Sequence, residues 1–420
     1  MQKYLINGGQ KLTGEICVSG AKNHALKILA ACVLSDQKCV INNVPDIEDV
    51  NRLNEILISL GARIEKNGSQ LIIETEGIKK GNPNSDLVRK LRSSIMLAGP
   101  LLARFGEVTM AHPGGCIIGK RPIDMFLSGF NALGAEIIDD DNGATYTLKA
   151  KKLHGARIVM PWIMVTATES LMMTACLAHG TTIIVNAAME PEIPALAEYL
   201  NSCGAKISGA GTPEITIEGV KNLSGGTATL IPDRVEAGSF IMLGLITKSE
   251  IKIANCNPNH IETVIATLRK AGANLEIGPD YVITKPSQLQ AIEIRTHEYP
   301  GFITDLQPPF TALMTQAKGI SLIHEAIYEG RLYYTDKLTQ MGAHIIMCDP
   351  HRVIVNGPTQ LYGRKLESPD LRAGMALVLA GLIAKGQTTI ENIYQIERGY
   401  ENFINRLQKI GAKIQKINEC

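Results

Sequence analysis

Apolar and polar positions along the chain form a local pattern that occurs six times. In each copy the apolar end of a helix is followed by Gly-Ala and then by alternating apolar and polar residues, as in LISLGARIE and LNSCGAKIS. A glycine just past a helix takes the left-handed conformation that closes it, and alternation with period two indicates a half-buried strand. The pattern predicts a helix, a glycine turn and a strand around Gly61, Gly134, Gly204, Gly272, Gly342 and Gly411.

A second kind of segment lies between these phrases and is apolar on nearly every side, with many small residues. Helices of this kind are buried. The phrases are spaced by 68 to 73 residues, which indicates compact subdomains rather than the short units of a solenoid. The sequence therefore predicts an α/β fold of six repeats, three in each of two lobes. The predicted buried helices cover residues 91–102, 167–177, 237–245, 310–316 and 373–384.

The composition excludes several classes of protein. The chain has 420 residues, which is too long for one ordinary domain, and its 42 basic and 41 acidic residues leave a net charge of +1. With one tryptophan and 5% aromatic residues it has neither the basic surface nor the stacking platforms of a nucleic-acid-binding protein. The longest apolar stretch, residues 373–384, is shorter than a membrane span, so we expect no membrane insertion.

The nine cysteines are scattered, odd in number and free of CxxC spacing. This usage argues against a disulfide framework or a zinc site and favours a reducing cytoplasm. The histidines show no metal-ligand spacing. We therefore expect no metal and no cofactor.

Three segments have the composition of functional loops or helix starts. Lys22 follows a glycine turn at the predicted start of a helix, where it can hold an anion, although a surface lysine beside a turn is the simpler explanation. Cys116 lies in a loop rich in glycine and proline close to Arg121, which can lower its pKa, whereas most free cysteines are buried and inert. Asp305 precedes an apolar helix and is either its N-cap or a general base.

Arginines in short polar phrases are further candidates, because the guanidinium group matches carboxylates and phosphates. Each of them alone is weak, since surface arginines are usually only solvated. The chain lacks the phosphate-binding, metalloprotease and nucleophile-elbow motifs GxxxxGK[ST], GxGxxG after a strand, HExxH and GxSxG. The arginines in question are Arg89, Arg92, Arg234, Arg372 and Arg398.

These phrases together resemble the enolpyruvyl transferases, and most closely the branch that acts on UDP-N-acetylglucosamine. The resemblance covers essentially the full chain, in order. It implies a two-lobed inside-out α/β barrel of six repeats, with one lobe at 22–230 and the other at 1–21 plus 231–420. The matching phrases are GAKN at 20–23, PGGCxIGxRP at 113–122, EPEI at 190–193, PDRxExG at 232–238, PGFxTDxQ at 300–307, DLRA at 370–373 and RGYE at 398–401.

The resemblance also implies a reaction, the first committed step of peptidoglycan synthesis. Enolpyruvyl passes from phosphoenolpyruvate to the 3′-hydroxyl of the UDP-sugar and phosphate is released, with Cys116 as the acid that also forms an adduct, Asp305 as the base, and Lys22 and Arg398 as further catalytic residues. The implied phosphoenolpyruvate-binding residues are Lys22, Asn23, Arg121, Arg372 and Arg398. The implied nucleotide-sugar-binding residues are Asn23, Arg92, Arg121, Pro122, Ile123, Asp124, Met125, Val165, Asp305 and Ile327.

The chain departs from the family's usual phrases at several places. GAKNAAL is here GAKNHALK, with His24 and Lys27, and the usual SVGATE is replaced by a bulkier segment at 162–168 that contains the only tryptophan. Residues 308–309 and 328–335 also differ, and most of these positions fall where the family holds the nucleotide-sugar. A divergent paralogue that uses another nucleotide or nucleotide-sugar is therefore an alternative.

Two further alternatives belong to other classes. The shikimate-pathway relative shares the fold, but its GSKS phrase is absent and this chain has a cysteine loop instead. A binding protein that has lost turnover would not need Cys116, Asp305 and Arg398 together.

Overall fold

The computed structural model describes residues 2–79, 81–112, 123–139 and 144–418. Cys116, Arg121 and Pro122 lie outside the described residues. Within the described part the chain divides into two compact units. The first unit contains residues 2–19 and 232–418, and the second contains the described residues between 20 and 231. In the described ranges, none of the helices has the length and apolar character needed to cross a bilayer.

The described residues form strands and helices that alternate along the chain, which makes the protein mixed α/β as predicted. The strands are β1 Gln2–Asn7, β2 Thr13–Cys17, β3 Cys39–Asn42, β4 Arg63–Asn67, β5 Gln70–Glu74, β6 Glu107–Ala111, β7 Glu136–Asp139, β8 Thr145–Lys149, β9 Arg157–Val159, β10 Thr181–Val185, β11 Lys206–Ser208, β12 Glu214–Glu218, β13 Thr227–Thr229, β14 Glu250–Ala254, β15 Asn274–Ile277, β16 Tyr281–Lys285, β17 Ile294–Arg295, β18 Gly319–His324, β19 His344–Asp349, β20 Arg352–Gly357, β21 Lys365–Glu367, β22 Gln387–Glu391 and β23 Lys413–Asn418.

The α-helices are α1 Lys22–Ala31, α2 Glu48–Leu60, α3 Ser85–Lys90, α4 Ala98–Phe105, α5 Asp124–Ala132, α6 Val165–Ala175, α7 Glu192–Ser202, α8 Arg234–Ile246, α9 Glu262–Lys270, α10 Gln307–Met314, α11 Thr335–Gln340, α12 Leu371–Ile383, α13 Tyr394–Glu397 and α14 Phe403–Lys409. Short 3-10 helices cover Cys32–Leu34, Arg92–Leu97, Pro258–Ile261, Thr304–Leu306 and Arg331–Tyr334.

The described strands form six small open sheets, and none of these sheets closes into a barrel. The first unit holds the sheets β21-β22-β1-β23, β15-β16-β14-β2 and β17-β18-β20-β19, and the second holds β11-β12-β10-β9, β13-β3-β5-β4 and β6-β8-β7. In each four-stranded sheet one edge strand is parallel to its neighbour and the other pairings are antiparallel. Five sheets therefore share one pairing pattern.

The glycine phrases fold as predicted. All six glycines have φ between 93° and 111°, which is the left-handed region that a side chain rarely adopts. Helices α2, α5, α7, α9, α11 and α14 end before these glycines, and β4, β7, β11, β15, β19 and β23 begin two residues after them. The prediction of a helix, a glycine turn and a strand is confirmed at all six positions.

The apolar helices are buried as predicted, with one correction. Every residue of α8 is buried, as are nearly all residues of α12. The segment 91–102, predicted as one helix, is instead a 3-10 helix at Arg92–Leu97 followed by α4. Pro100 explains the break, because proline has no backbone N–H and is tolerated only in the first turn of an α-helix, here the one that starts at Ala98.

Each unit has its own hydrophobic core. The core of the second unit is built from residues between Ala25 and Leu230, and that of the first unit from residues before Ser19 and after Pro232. In the first unit Gly238 lets α8 approach Leu306 closely, since a Cβ at this position would lie 2.3 Å from Leu306 Cδ1. The packing of α8 against Leu306 therefore fixes the 3-10 turn Thr304–Leu306, which contains Asp305.

Candidate active site

Asp305 is the centre of a charge cluster in the first unit. It lies in the 3-10 turn Thr304–Leu306 that leads into α10. Its Oδ1 accepts a hydrogen bond from Arg331 Nη1 at 2.8 Å, and its Oδ2 accepts one from Arg372 Nε at 2.9 Å. The two arginine side chains are 4% and 5% exposed, whereas the carboxylate is 26% exposed. The carboxylate is thus held by buried cations from inside while it stays open to solvent.

Electrostatics favour the charged forms of this cluster. Burial by itself lowers the pKa of Arg372, but the nearby acidic groups, Asp305 first among them, together outweigh that effect and raise the pKa overall. The pKa of Arg331 is also raised, because the carboxylates of Asp305 and Glu325 outweigh its burial. Two guanidinium donors hold the carboxylate in one orientation. Such a group can receive a proton from a hydroxyl placed against its exposed side.

Local structure explains how these side chains are placed. Asp370 caps α12, because its Oδ1 accepts hydrogen bonds from the backbone N–H groups of Arg372 and Ala373 at 2.8 and 3.0 Å. This cap fixes the first turn of α12, from which Arg372 extends. Asp305 lies inside the 3-10 turn, and the N-cap positions of that turn and of α10 are Ile303 and Leu306, so the N-cap explanation of this residue is wrong.

Arg398 follows α13 in the same unit. Its Nη1 donates to Gln395 Oε1 at 3.2 Å. The preceding Glu397 accepts hydrogen bonds from the Tyr4 hydroxyl at 3.0 Å and from Lys416 Nζ at 2.8 Å. The short helix that presents Arg398 is therefore tied to the sheet formed by β1 and β23.

In the second unit Lys22 is the first residue of α1, as the sequence predicted for a helix start. Its Nζ lies 3.0 Å from Asp49 Oδ2, and the two side chains are 14% and 6% exposed. Asn23 follows in the first turn of the same helix. The N-cap residue Ala21 makes no side-chain cap hydrogen bond, and the first turn of the helix carries the positive end of the helix dipole.

Helix α1 carries a second lysine, whose partner is on another helix. Lys27 Nζ lies 3.2 Å from Glu169 Oε2 of α6, with both side chains almost completely buried. Neither oxygen of Glu169 makes a hydrogen bond to any described residue. Burial raises the pKa of Glu169 to about 8, although Lys27 lowers it.

His24 lies next to this pair. Its Nδ1 accepts a hydrogen bond from the backbone N–H of Ile231 at 3.2 Å, and among the described residues its buried Nε2 has no hydrogen-bond partner. Burial lowers the pKa of His24 to about 4, so the ring is neutral at pH 7. The two residues by which α1 departs from the usual family phrase, His24 and Lys27, are therefore both buried.

The remaining predicted site residues occupy helix starts and connecting segments. Ile123 and Asp124 form the start of α5, and Met125 lies in its first turn. Val165 begins α6, and Arg92 begins a 3-10 helix. These residues belong to the second unit, whereas Ile327 lies in the first, where its backbone N–H donates to Glu325 Oε1 at 2.9 Å. Of the predicted site residues within the first unit, the structure brings Asp305 and Arg372 into contact.

Sequence reasoning missed four residues that shape these clusters. Arg331 and Glu325 surround Asp305, while Asp49 and Glu169 pair with the lysines of α1. A lysine inside the apolar run HALKILAA indicates a buried partner, since a charge is rarely buried unpaired. The acidic phrase at 190–192 is buried, and α7 begins at Glu192.

Comparison with known proteins decides the family. The sequence model of the EPSP synthase (3-phosphoshikimate 1-carboxyvinyltransferase) family matches residues 6–407. A relative from Carboxydothermus hydrogenoformans, UDP-N-acetylglucosamine 1-carboxyvinyltransferase 1, is 45% identical over 100% of this chain and 99% of its own length. UDP-N-acetylglucosamine 1-carboxyvinyltransferase 2 of Clostridium tetani is 44% identical over 99% of this chain and 100% of its own length.

The chain belongs to the EPSP synthase family. The enolpyruvyl transferase resemblance is therefore confirmed, and the relatives named above carry the activity of the UDP-N-acetylglucosamine branch in their names. Among solved structures, the enolpyruvyl transferase NikO from Streptomyces tendae superposes with a TM-score of 0.90 at 25% identity, covering 99% of this chain and 98% of its own. EPSP synthase from Acinetobacter baumannii, at 19% identity and a TM-score of 0.77 over 100% of both chains, shares the fold.

Proposed function

We propose that this member of the EPSP synthase family transfers enolpyruvyl from phosphoenolpyruvate to the 3′-hydroxyl of UDP-N-acetylglucosamine and releases phosphate, the first committed step of peptidoglycan synthesis. One observation carries the proposal: relatives of that name are 44% and 45% identical to this chain over essentially its whole length. The described cysteines are free thiols, which supports a reducing cytoplasm as the compartment of the reaction.

The Asp305 cluster supports a role as base in this reaction. The acceptor hydroxyl must lose its proton as its oxygen forms a bond to C2 of the enolpyruvyl group. A carboxylate that Arg331 and Arg372 orient and that remains 26% exposed is suited to receive that proton. In our proposal Asp305 takes the proton, and the two arginines hold it in one orientation during the transfer.

The other catalytic roles are proposed from the family resemblance. Cys116 gives a proton to C3 of phosphoenolpyruvate, which makes C2 electrophilic, and this residue also forms the adduct. After the hydroxyl has added to C2, the bond from C2 to the phosphate oxygen breaks, C3 loses a proton and the enol ether forms. Fully ionised phosphoenolpyruvate is a trianion and needs cations around it. We assign this binding to Lys22, Asn23, Arg121, Arg372 and Arg398.

The acceptor is assigned to a further set of residues. We propose that Asn23, Arg92, Arg121, Pro122, Ile123, Asp124, Met125, Val165, Asp305 and Ile327 bind the nucleotide-sugar. Trp162, in the segment that departs from the family phrase just before α6, is 55% exposed. This exposed ring favours, as a second candidate, a reaction in which another nucleotide or nucleotide-sugar is the acceptor.

We also propose an organisation of the fold. The six sheets would be copies of one repeat of about 70 residues, three in a lobe at 22–230 and three in a lobe formed by 1–21 and 231–420. The pairing pattern common to five sheets supports this view. In the sixth, an isolated parallel bridge between Gly81 and Val108 of β6 stands where the others have their parallel edge strand.

Phosphate release from phosphoenolpyruvate tests the function. The purified protein is assayed with UDP-N-acetylglucosamine, with a panel of other nucleotides and nucleotide-sugars, and with shikimate 3-phosphate. Release with UDP-N-acetylglucosamine, abolished in Cys116→Ser together with labelling by an epoxide analogue of phosphoenolpyruvate, is the expected result. Release only with another nucleotide-sugar would support the second candidate. Both candidates would be overturned if phosphate were released only with shikimate 3-phosphate, or if no acceptor gave any release.

A further inference from the structure

A second carboxylate, Glu325, is completely buried in the first unit beside the Asp305 cluster. It follows β18 and is 0% exposed, yet both its oxygens have donors. Oε2 accepts a hydrogen bond from Thr304 Oγ1 at 2.8 Å. Oε1 accepts from Thr296 Oγ1 at 3.0 Å and from the backbone N–H groups of Ile327 and Tyr328 at 2.9 and 3.2 Å. Four donors offset the cost of removing this charge from water.

These donors belong to the segments that carry the Asp305 cluster. Thr304 is the residue before Asp305 and starts the same 3-10 turn. Ile327 and Tyr328 begin the segment that leads to Arg331, the residue whose Nη1 contacts Asp305 Oδ1. The Glu325 carboxylate therefore binds the turn that carries Asp305 through Oε2, and it binds the segment that leads to Arg331 through Oε1.

The contacts also anchor Glu325 to the sheet. Thr296 follows β17, and its Oγ1 accepts a hydrogen bond from the backbone N–H of Ala326 at 2.8 Å. On the other side, the carbonyl oxygen of Glu325 lies 2.7 Å from His351 Nδ1. Movement of Glu325 is restricted by partners from three directions, so the position of its carboxylate is set by the fold rather than by solvent.

The negative charge matters as well as the shape. The pKa of Arg331 is raised against its burial by Asp305 first and by Glu325 second. Arg331 is thus shared between an exposed carboxylate and a buried one. An amide at position 325 would keep most of the volume and one acceptor oxygen, but its NH2 group would face a donor where an oxygen now accepts, and it would leave Arg331 with one carboxylate fewer.

We propose that Glu325 is a positioning residue for the enolpyruvyl transfer reaction, which fixes the distance and orientation between Asp305 and Arg331 through Thr304 and the 327–328 backbone. This inference rests on the proposed function, because it assigns a step to Asp305. Glu325 touches neither substrate nor the reacting atoms in this proposal. Its effect is on the geometry of the base.

Glu325→Gln and Thr304→Val are the test variants. Glu325→Gln removes the negative charge, while the Thr304 hydroxyl can rotate and accept a hydrogen bond from the new amide. Thr304→Val removes only the hydrogen bond between Glu325 and the turn that carries Asp305. We expect kcat to fall about 10- to 100-fold in Glu325→Gln and about 3- to 10-fold in Thr304→Val, with KM for phosphoenolpyruvate within about twofold of wild type. The double variant should lose less than the product of the single losses, because both changes act on one link.

Thr284→Val is the matched control. Thr284 in β16 is also fully buried in the first unit, and its Oγ1 donates to Ser249 O at 3.0 Å, so its removal also deletes a buried hydrogen bond. The control should lower the melting temperature and leave kcat unchanged. If Glu325→Gln behaved like this control, with a lower melting temperature and unchanged kcat, the positioning role would be overturned.

A crystal structure of Glu325→Gln gives a readout that does not depend on turnover. We expect the distance from Asp305 Oδ1 to Arg331 Nη1, now 2.8 Å, to exceed about 4 Å, the limit for an ion pair. An unchanged distance would contradict the inference. A wild-type protein that releases no phosphate with any acceptor would instead sink the proposed function, and the structural measurement would still decide what Glu325 does to the cluster.

Discussion

Each unit contains a carboxylate that is paired with buried cationic side chains, and the two carboxylates differ in their hydrogen bonds and in their exposure to solvent. In the first unit the Asp305 carboxylate takes one hydrogen bond from each of two arginines and is partly open to solvent. In the second unit the Glu169 carboxylate is fully buried, lies 3.2 Å from Lys27 and has no hydrogen-bond partner among the described residues. The pKa of Glu169 rises to about 8 because burial outweighs the lysine.

The difference separates a carboxylate suited to chemistry from one suited to structure. Fixed donors hold Asp305 in one orientation, and its exposed side is open to a hydroxyl that gives up a proton. Complete burial with one poorly aligned partner makes Glu169 hold its own proton near neutral pH. We therefore expect changes at the first cluster to reduce turnover, and changes at the second to reduce stability.

Asp305→Ala should have the largest effect. Loss of a general base lowers kcat by about 10²- to 10⁴-fold, while calorimetry should show that phosphoenolpyruvate still binds, because Arg331 and Arg372 keep their charges. The matched control is Asp349→Ala, which removes a carboxylate–arginine pair with Arg352 at the surface of the same unit. A decrease in affinity with unchanged kcat would show that Asp305 is not the base.

Arg331→Met should reduce turnover next. It removes one of the two donors that orient Asp305, and a hydrogen bond to a charged group is worth about 1.5–3 kcal/mol, so kcat/KM should fall about 10- to 100-fold. Arg52→Met, at a surface arginine that pairs with Glu48 and Glu55, should leave kcat/KM as in wild type. Equal activity of the two variants would show that Arg331 does not orient Asp305 for the reaction.

Lys27→Met should act on stability instead. Glu169, whose pKa is about 8, is mostly protonated at pH 7, so removing Lys27 leaves a buried carboxyl group without its partner rather than a stranded charge. We expect a loss of about 1–3 kcal/mol in the free energy of unfolding by urea titration. The double variant Lys27→Met/Glu169→Leu should recover most of that loss, since no unpaired polar group remains. If Lys27→Met kept its stability but lost turnover as Arg331→Met does, the second cluster would belong to the chemistry.

The smallest effect is a pH dependence. The folded state raises the pKa of Glu169 from 4.5 to about 8, so it binds this proton more tightly than the unfolded chain and loses stability as pH rises towards 8. His24, lowered from 6.5 to about 4, acts in the opposite direction, but only below pH 6.5. Between pH 6.5 and 8 Glu169 should therefore lower the melting temperature as pH rises, whereas Cys39, whose pKa is lowered to about 6, acts in the opposite direction. The melting temperature of Glu169→Gln minus that of wild type should increase over this range, and a constant difference would contradict the raised pKa.

Local features of the fold were predictable from the sequence, and features that depend on distant partners were not. The six glycine turns and Lys22 at a helix start were predicted correctly, because left-handed backbone and helix boundaries depend on neighbouring residues. The prediction of one helix over 91–102 was wrong because Pro100 is tolerated only in the first turn of an α-helix, which the apolar pattern does not show. The N-cap explanation of Asp305 was wrong because its carboxylate bonds to arginines from two other segments.

The sequence by itself therefore determined the repeated helix–glycine–strand pattern, the buried apolar helices and the family, since each is carried by residues close together in the chain. Only the tertiary structure decided which charges meet. The members of each pair, Lys27 with Glu169 and Asp305 with Arg372, are far apart in sequence. They come together through the packing of helices, and the sequence of one helix does not indicate which helix it packs against. Burial then sets the protonation of each pair, and burial is a property of the folded molecule rather than of any local phrase.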